Sequence, residues 1–171
     1  QALTSGDYDG DGFADLAIGV PFEAISTITW AGAVNILYGA ASGLSVTGDQ
    51  MLSQNTLGMA GECEAQDRFA FRVSSGDYDG DGYDDLAVGV PFESIGTVDE
   101  AGGVHILFGT ATGITMDRNH MLHQDKAAVP GVSATDVHLG YALAALYRTS
   151  SLIFDSGFES GGVSGWSSSA P

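Results

Sequence analysis

Short apolar runs, each cut off by glycine or proline, set the rhythm of this 171-residue chain. Asp15-Leu16-Ala17-Ile18-Gly19-Val20 runs into Pro21, and Asp85-Leu86-Ala87-Val88-Gly89-Val90 runs into Pro91. Runs of that length, aliphatic and closed by a residue that ends regular pairing, predict buried strands. Ala33-Val34-Asn35-Ile36-Leu37-Tyr38 and Gly103-Val104-His105-Ile106-Leu107-Phe108 predict a second pair, closed by Gly39 and Gly109. Weaker strands are expected near residues 50–54 and 120–124. No stretch places apolar residues at helical spacing, so the fold class is all-β.

The runs repeat. Sliding the sequence by 70 lays residues 5–54 over residues 75–124 without a gap, with 29 of 50 positions identical. The expected organisation is therefore two four-stranded antiparallel units and a partial third. Residues 1–67 form the first repeat, 68–137 the second, and 138–171 a partial third repeat and C-terminal segment. The strand before the second copy reads as Arg68-Phe69-Ala70-Phe71-Arg72-Val73-Ser74-Ser75, whereas only Gln1-Ala2-Leu3-Thr4-Ser5 precedes the first. The first strand is accordingly expected to be incomplete. The third copy opens at His138-Leu139-Gly140-Tyr141-Ala142 and then loses the pattern, with Tyr147 where another loop would begin.

Each copy carries an acidic loop: Asp7-Tyr8-Asp9-Gly10-Asp11-Gly12-Phe13-Ala14-Asp15 and Asp77-Tyr78-Asp79-Gly80-Asp81-Gly82-Tyr83-Asp84-Asp85. Carboxylates fall at loop positions 1, 3, 5 and 9, with glycine at position 6 where the backbone must turn. Converging carboxylates repel one another unless a cation neutralises them, and an oxygen-rich tight loop suits a hard divalent ion. Two Ca²⁺ sites are expected, structural in role, because nothing nearby supplies an acid-base partner.

Phe69-Ala70, the Asp-x-Asp-Gly-Asp-Gly-x-x-Asp loop and the Gly-Val-Pro stop together resemble the FG-GAP repeat of integrin alpha-subunit β-propellers and many bacterial surface proteins. The resemblance covers roughly residues 1–145. It implies four-stranded propeller-type blades, each with a calcium loop between its first and second strands. Carried over residue by residue, it implies that Asp7, Asp9, Asp11, the Phe13 carbonyl and Asp15 hold one ion. Asp77, Asp79, Asp81, the Tyr83 carbonyl and Asp85 would hold the other. Such propellers usually have seven blades, and this chain has two and a fraction. The tail from Ile153 to Ser167 resembles a Phe-Glu-Ser-Gly…Trp-Ser segment near the ends of secreted bacterial proteins, which favours an extracellular, bacterial cell-surface setting.

A net charge of −17 excludes nucleic acid and anionic membranes as natural partners. No apolar run approaches the roughly 20 residues of a membrane span. Cys63 is the single cysteine, so no internal disulfide forms, and Glu62 and Glu64 beside it should raise its thiol pKa. His120 and His123 stand three apart, which on a strand points them to opposite faces without a third ligand. His105 reads as a polar strand residue. Trp30 and Trp166 could stack on a sugar, although ordinary loop packing explains them as well.

Three functions compete on these residues. Open repeat ends suggest a calcium-stabilised extracellular structural subunit that joins copies of itself head to tail by strand addition into a filament or surface layer. The alternative is an adhesion or ligand-binding module recognising protein or glycan through residues 24–31 and 94–101. An enzyme ranks lowest, since no catalytic constellation is visible.

Overall fold

The computed structural model describes residues 2–127 and 129–144. Two four-stranded antiparallel sheets form, each a meander in which every strand pairs with its chain neighbour. The first contains β1 (Ala2–Gly6), β2 (Asp15–Val20), β3 (Ala33–Tyr38) and β4 (Ser45–Leu52). The second contains β5 (Arg72–Gly76), β6 (Asp85–Val90), β7 (Gly103–Phe108) and β8 (Thr115–Leu122). Registers match: Gly6 faces Asp15 as Gly76 faces Asp85, and Val20 faces Ala33 as Val90 faces Gly103. These are propeller-type blades, and each acidic loop joins its blade's first two strands. No helix among the described residues is long and apolar enough to cross a membrane.

The hydrophobic core lies between the blades. Tyr8, Val34, Ile36 and Leu52 of the first unit pack with Phe69, Val73, Leu86, Val88, Val90, Leu107 and Ile114. Burial of those aliphatic and aromatic groups, at about 1.5–3 kcal/mol for each full side chain, is what holds one sheet on the other. Small residues sit where backbone must approach backbone. A Cβ on Gly19 would lie 2.3 Å from the Ala70 carbonyl oxygen, and one on Gly89 would lie 2.2 Å from that of Gly140. The apolar runs thus split by face: Ala17 and Gly19 admit the following segment, while Leu86, Val88 and Val90 fill the preceding contact.

Two expectations change. The outer strands β4 and β8 run eight residues each and end at Leu52 and Leu122, earlier than expected. Their mostly exposed, polar sequences gave no alternation to read, and both contain a register shift against their partners. Arg68-Phe69-Ala70-Phe71 is not strand. Arg68 and Ala70 adopt φ of 56° and 63°, and Phe69 instead makes an isolated parallel bridge to Gly32 of the first blade. β1 and β5 each run five residues. Residues 68–71 form a docking turn that joins blades. The third copy repeats it at Leu139, which bridges Gly102. Tyr147, Ile153–Ser167 and Trp166 lie outside the described residues.

Candidate metal centres

In the first loop, Gly10 and Gly12 take φ of 70° and 88°, and in the second Gly80 and Gly82 take 84° and 98°. This left-handed backbone is accessible to glycine at little cost and turns the loop back on itself. Backbone amides then point inward at the carboxylates. Gly12 N donates to Asp7 Oδ2 at 3.1 Å, Asp11 N to Asp9 Oδ1 at 3.2 Å and Phe13 N to Asp11 Oδ1 at 2.8 Å. The second loop repeats each bond, including Gly82 N to Asp77 Oδ2 at 3.1 Å and Tyr83 N to Asp81 Oδ1 at 3.0 Å.

Asp15 and Asp85 anchor the loops. Each opens a central strand and is almost fully buried. Asp15 accepts from Tyr8 N and Gly39 N, both at 2.7 Å. Asp85 accepts from Tyr78 N at 2.7 Å and Gly109 N at 3.0 Å. One carboxylate therefore ties the loop to the far end of the third strand. Burial raises the pKa of Asp15 despite those two bonds, and it pushes Asp85 up to about 6. Holding such groups ionised calls for a nearby positive charge.

The structure brings carboxylate oxygens of Asp7, Asp9 and Asp15 within 4.8 Å of one another, and likewise those of Asp77, Asp79 and Asp85. Asp11 and Asp81 fall outside these two groups and turn toward backbone amides. Phe13 is exposed at the rim of its loop, while the Tyr83 ring covers Gly10 of the first loop. Asp7 Oδ1 is buried without a hydrogen-bond partner among the described residues, an arrangement that a cation would complete. The donor set is all oxygen, as hard divalent ions prefer. A bound ion there would supply positive charge that cross-links loop, β2 and β3.

The two loops also touch. Asp7 N donates to Asp84 Oδ2 at 2.9 Å, Asp84 N donates to the Asp7 carbonyl at 3.0 Å, and Thr110 N to the Tyr8 carbonyl at 3.1 Å. The Tyr8 hydroxyl lies 2.6 Å from Ser75 Oγ. Sequence reasoning missed Asp84, although its counterpart Ala14 is a visible mismatch inside otherwise matched loops. It also missed Arg118, which pairs with Asp79, one of the second loop's carboxylates.

Other candidates resolve differently. His105 is fully buried against Phe69, ring centroids 5.4 Å apart, and burial lowers its pKa to about 4. It is a neutral interblade packing residue rather than an ordinary polar strand residue. His120 stacks edge-on to Phe108 and joins no ligand group among the described residues. The Cys63 thiol pKa is raised, first by burial and then by Asp67 and Glu93 rather than by its sequence neighbours. Trp30 is half exposed and meets Phe22 edge-to-face at 6.1 Å. A third group of metal-ligating types, Glu100, Asp136 and His138, was not anticipated.

The FG-GAP repeat family matches residues 1–37 and 69–107 of this chain. Integrin alpha-3 of Cricetulus griseus is 29% identical over 144 residues, covering 84% of this chain and 12% of that protein. Integrin alpha-4 of Xenopus laevis is 32% identical over 126 residues, covering 73% and 11%. Phosphatidylinositol-glycan-specific phospholipase D of Bos taurus is 32% identical over 112 residues, covering 66% and 13%. The chain thus spans only 12% to 13% of the length of the first curated relatives it matches.

Proposed function

The chain carries FG-GAP repeats, and from that premise we propose that it is a calcium-stabilised, extracellular propeller-type module that binds a protein or glycan ligand. The observation that carries the reading is an exposed aromatic-cationic patch on the loop after β2. Phe22 and Trp30 are 57% and 47% exposed, and the Arg68 guanidinium lies 5.4 and 5.7 Å from their ring centroids. A rigid exposed aromatic pair beside a cation is the chemistry that stacks on a sugar face or receives a partner's side chain. Its relatives' names place integrin alpha subunits beside this reading, while the phospholipase D relative puts similar repeats in an enzyme too. Among the described residues the carboxylate loops are surrounded by backbone amides and by each other, and the role proposed for them is structural.

Calcium would act on the module's stability. Millimolar Ca²⁺ should raise the melting temperature and EDTA should lower it, as expected for an ion bound only by the folded state. Asp7→Asn with Asp77→Asn should abolish that response. Ligand screening on glycan and protein arrays tests the binding role, with Trp30→Ala as control. Silence of the wild-type chain on both arrays would remove it.

A second reading, head-to-tail assembly into a filament or surface layer, draws on the docking turn. Residues 138–141 sit on the second blade as 68–71 sit on the first, so one joint geometry serves twice. A joint that repeats without change can propagate between copies as well as within one. Light scattering at high concentration in calcium separates the readings: a persistent monomer leaves only the first.

A further inference from the structure

The joint between repeats uses one backbone template twice. At the first joint Arg68 N donates to the Trp30 carbonyl at 3.1 Å and Phe69 N to that of Ala31 at 2.8 Å. At the second, His138 N donates to the Glu100 carbonyl at 3.2 Å and Leu139 N to that of Ala101 at 3.0 Å. Three matching non-glycine positions at both joints hold left-handed backbone, beside Ala70 at the first joint and Gly140 at the second. They are Trp30, Gln66 and Arg68 at φ of 55°, 75° and 56°, then Glu100, Asp136 and His138 at 50°, 62° and 54°.

The template brings side chains of different chemistry together at the two joints. In the first joint it sets the Arg68 cation against the Trp30 ring. In the second all three positions carry metal-ligating types, with one ligand atom from each lying within 4.8 Å of the others. His138 Nε2 is 2.9 Å from Glu100 Oε2, and its ring is packed by Phe92 and Tyr141, at centroid distances of 4.9 and 6.3 Å. A His–Glu pair accounts for two of the three. Asp136 then adds a second carboxylate that one imidazolium leaves uncompensated, whereas a divalent cation neutralises both.

We propose that Glu100, Asp136 and His138 form a binding site for a first-row divalent transition cation of the Zn²⁺ class. One imidazole nitrogen with two carboxylate oxygens suits such an ion better than Ca²⁺. Around a tetrahedral ion with bonds near 2.1 Å the ligand atoms sit about 3.4 Å apart, a short closure for exposed side chains. The remaining coordination position faces solvent and takes water. Because Glu100 belongs to the second blade and Asp136 and His138 to the following segment, the ion clips that segment onto the blade.

The full chain, saturated with Ca²⁺, is titrated with ZnCl₂ by calorimetry while amide exchange is followed at His138 and Leu139. One micromolar site and slower exchange at both amides are expected. Asp136→Asn keeps the side chain's shape and its tolerance of left-handed backbone, and His138→Gln removes the nitrogen ligand. Each should weaken Zn²⁺ at least about tenfold, while a His120→Ala/His123→Ala/Cys63→Ser triple variant should bind as wild type does. Unchanged affinity in both ligand variants overturns the site. So does exchange at 138–139 that ignores Zn²⁺, or Zn²⁺ binding that excess Ca²⁺ abolishes.

Discussion

β2 and β6 have nearly the same sequence and different surroundings. In β2 burial alternates, with Leu16, Ile18 and Val20 only half buried, whereas every residue of β6 is buried. Leu86, Val88 and Val90 press on the first blade, and Gly89 lies under the Gly140 carbonyl. The same run is thus one-sided in one repeat and two-sided in the other. What a blade strand buries is decided by the units on either side of it, as expected of repeat architectures.

That contrast can be broken at its joints. Gly19→Ala drives a methyl into the Ala70 carbonyl, and Gly89→Ala drives one into that of Gly140. The first joint holds two whole sheets together, so Gly19→Ala should cost about 3 kcal/mol or more in urea unfolding. Gly89→Ala should chiefly free residues 138–144, seen as faster amide exchange there with a smaller shift in the urea midpoint. Equal global losses would show that the joints contribute alike.

Glu23 is exposed, while its counterpart Glu93 is buried beneath Gln54 of the first blade, whose Nε2 donates to it at 2.5 Å. Burial, above all, pushes Glu93 up to about 8. The folded state keeps a proton that the unfolded chain releases above its ordinary value of 4.5. Stability is therefore greatest below that value and falls as pH rises toward about 8, by at most about 1.4 kcal/mol per pH unit. Glu93→Gln should flatten this slope in denaturation measured from pH 5 to 8, leaving a smaller decline from Asp67, which burial raises to about 6.

Smaller effects come from residues that distinguish the loops. Asp84→Ala makes the second loop match the first at Ala14 and deletes the bond from Asp7 N, for about 1–2 kcal/mol in the same assay. Arg118 pairs with Asp79, while the first repeat has Gly48 at that place. Its positive charge competes with a cation at the second loop only. Arg118→Gly should raise calcium affinity there by about threefold, read by calorimetry, and leave the first loop unchanged.

Much of this was legible in the residues. Gly- and Pro-stopped runs marked the ends of β2, β3, β6 and β7, because central strands must be apolar and must stop. Loop spacing pointed to Asp7, Asp9 and Asp15 as neighbours, since glycines at fixed places leave few ways to turn. The docking turn was misread as strand because Phe69-Ala70-Phe71 is apolar, and nothing in it announces left-handed backbone at Ala70. That conformation is imposed by the bridge to Gly32, a contact more than thirty residues away. β4 and β8 were placed only by their last residues, because exposed edges carry no alternation that marks where they begin. His105 looked polar, and its burial depends on Phe69 from the joint.

The meander has a consequence for how the chain is made. Within each blade every strand after the first pairs with the one just before it, so no blade waits for a distant segment to arrive before closing its hydrogen bonds. Short loops close at low entropic cost, and sheets of this connectivity form quickly. As the chain leaves the ribosome, the first blade can pair its strands before the second exists. Its docking face at Gly19 and Gly32 is then ready when Phe69 and Ala70 emerge, and synthesis proceeds like a zip whose teeth are whole blades.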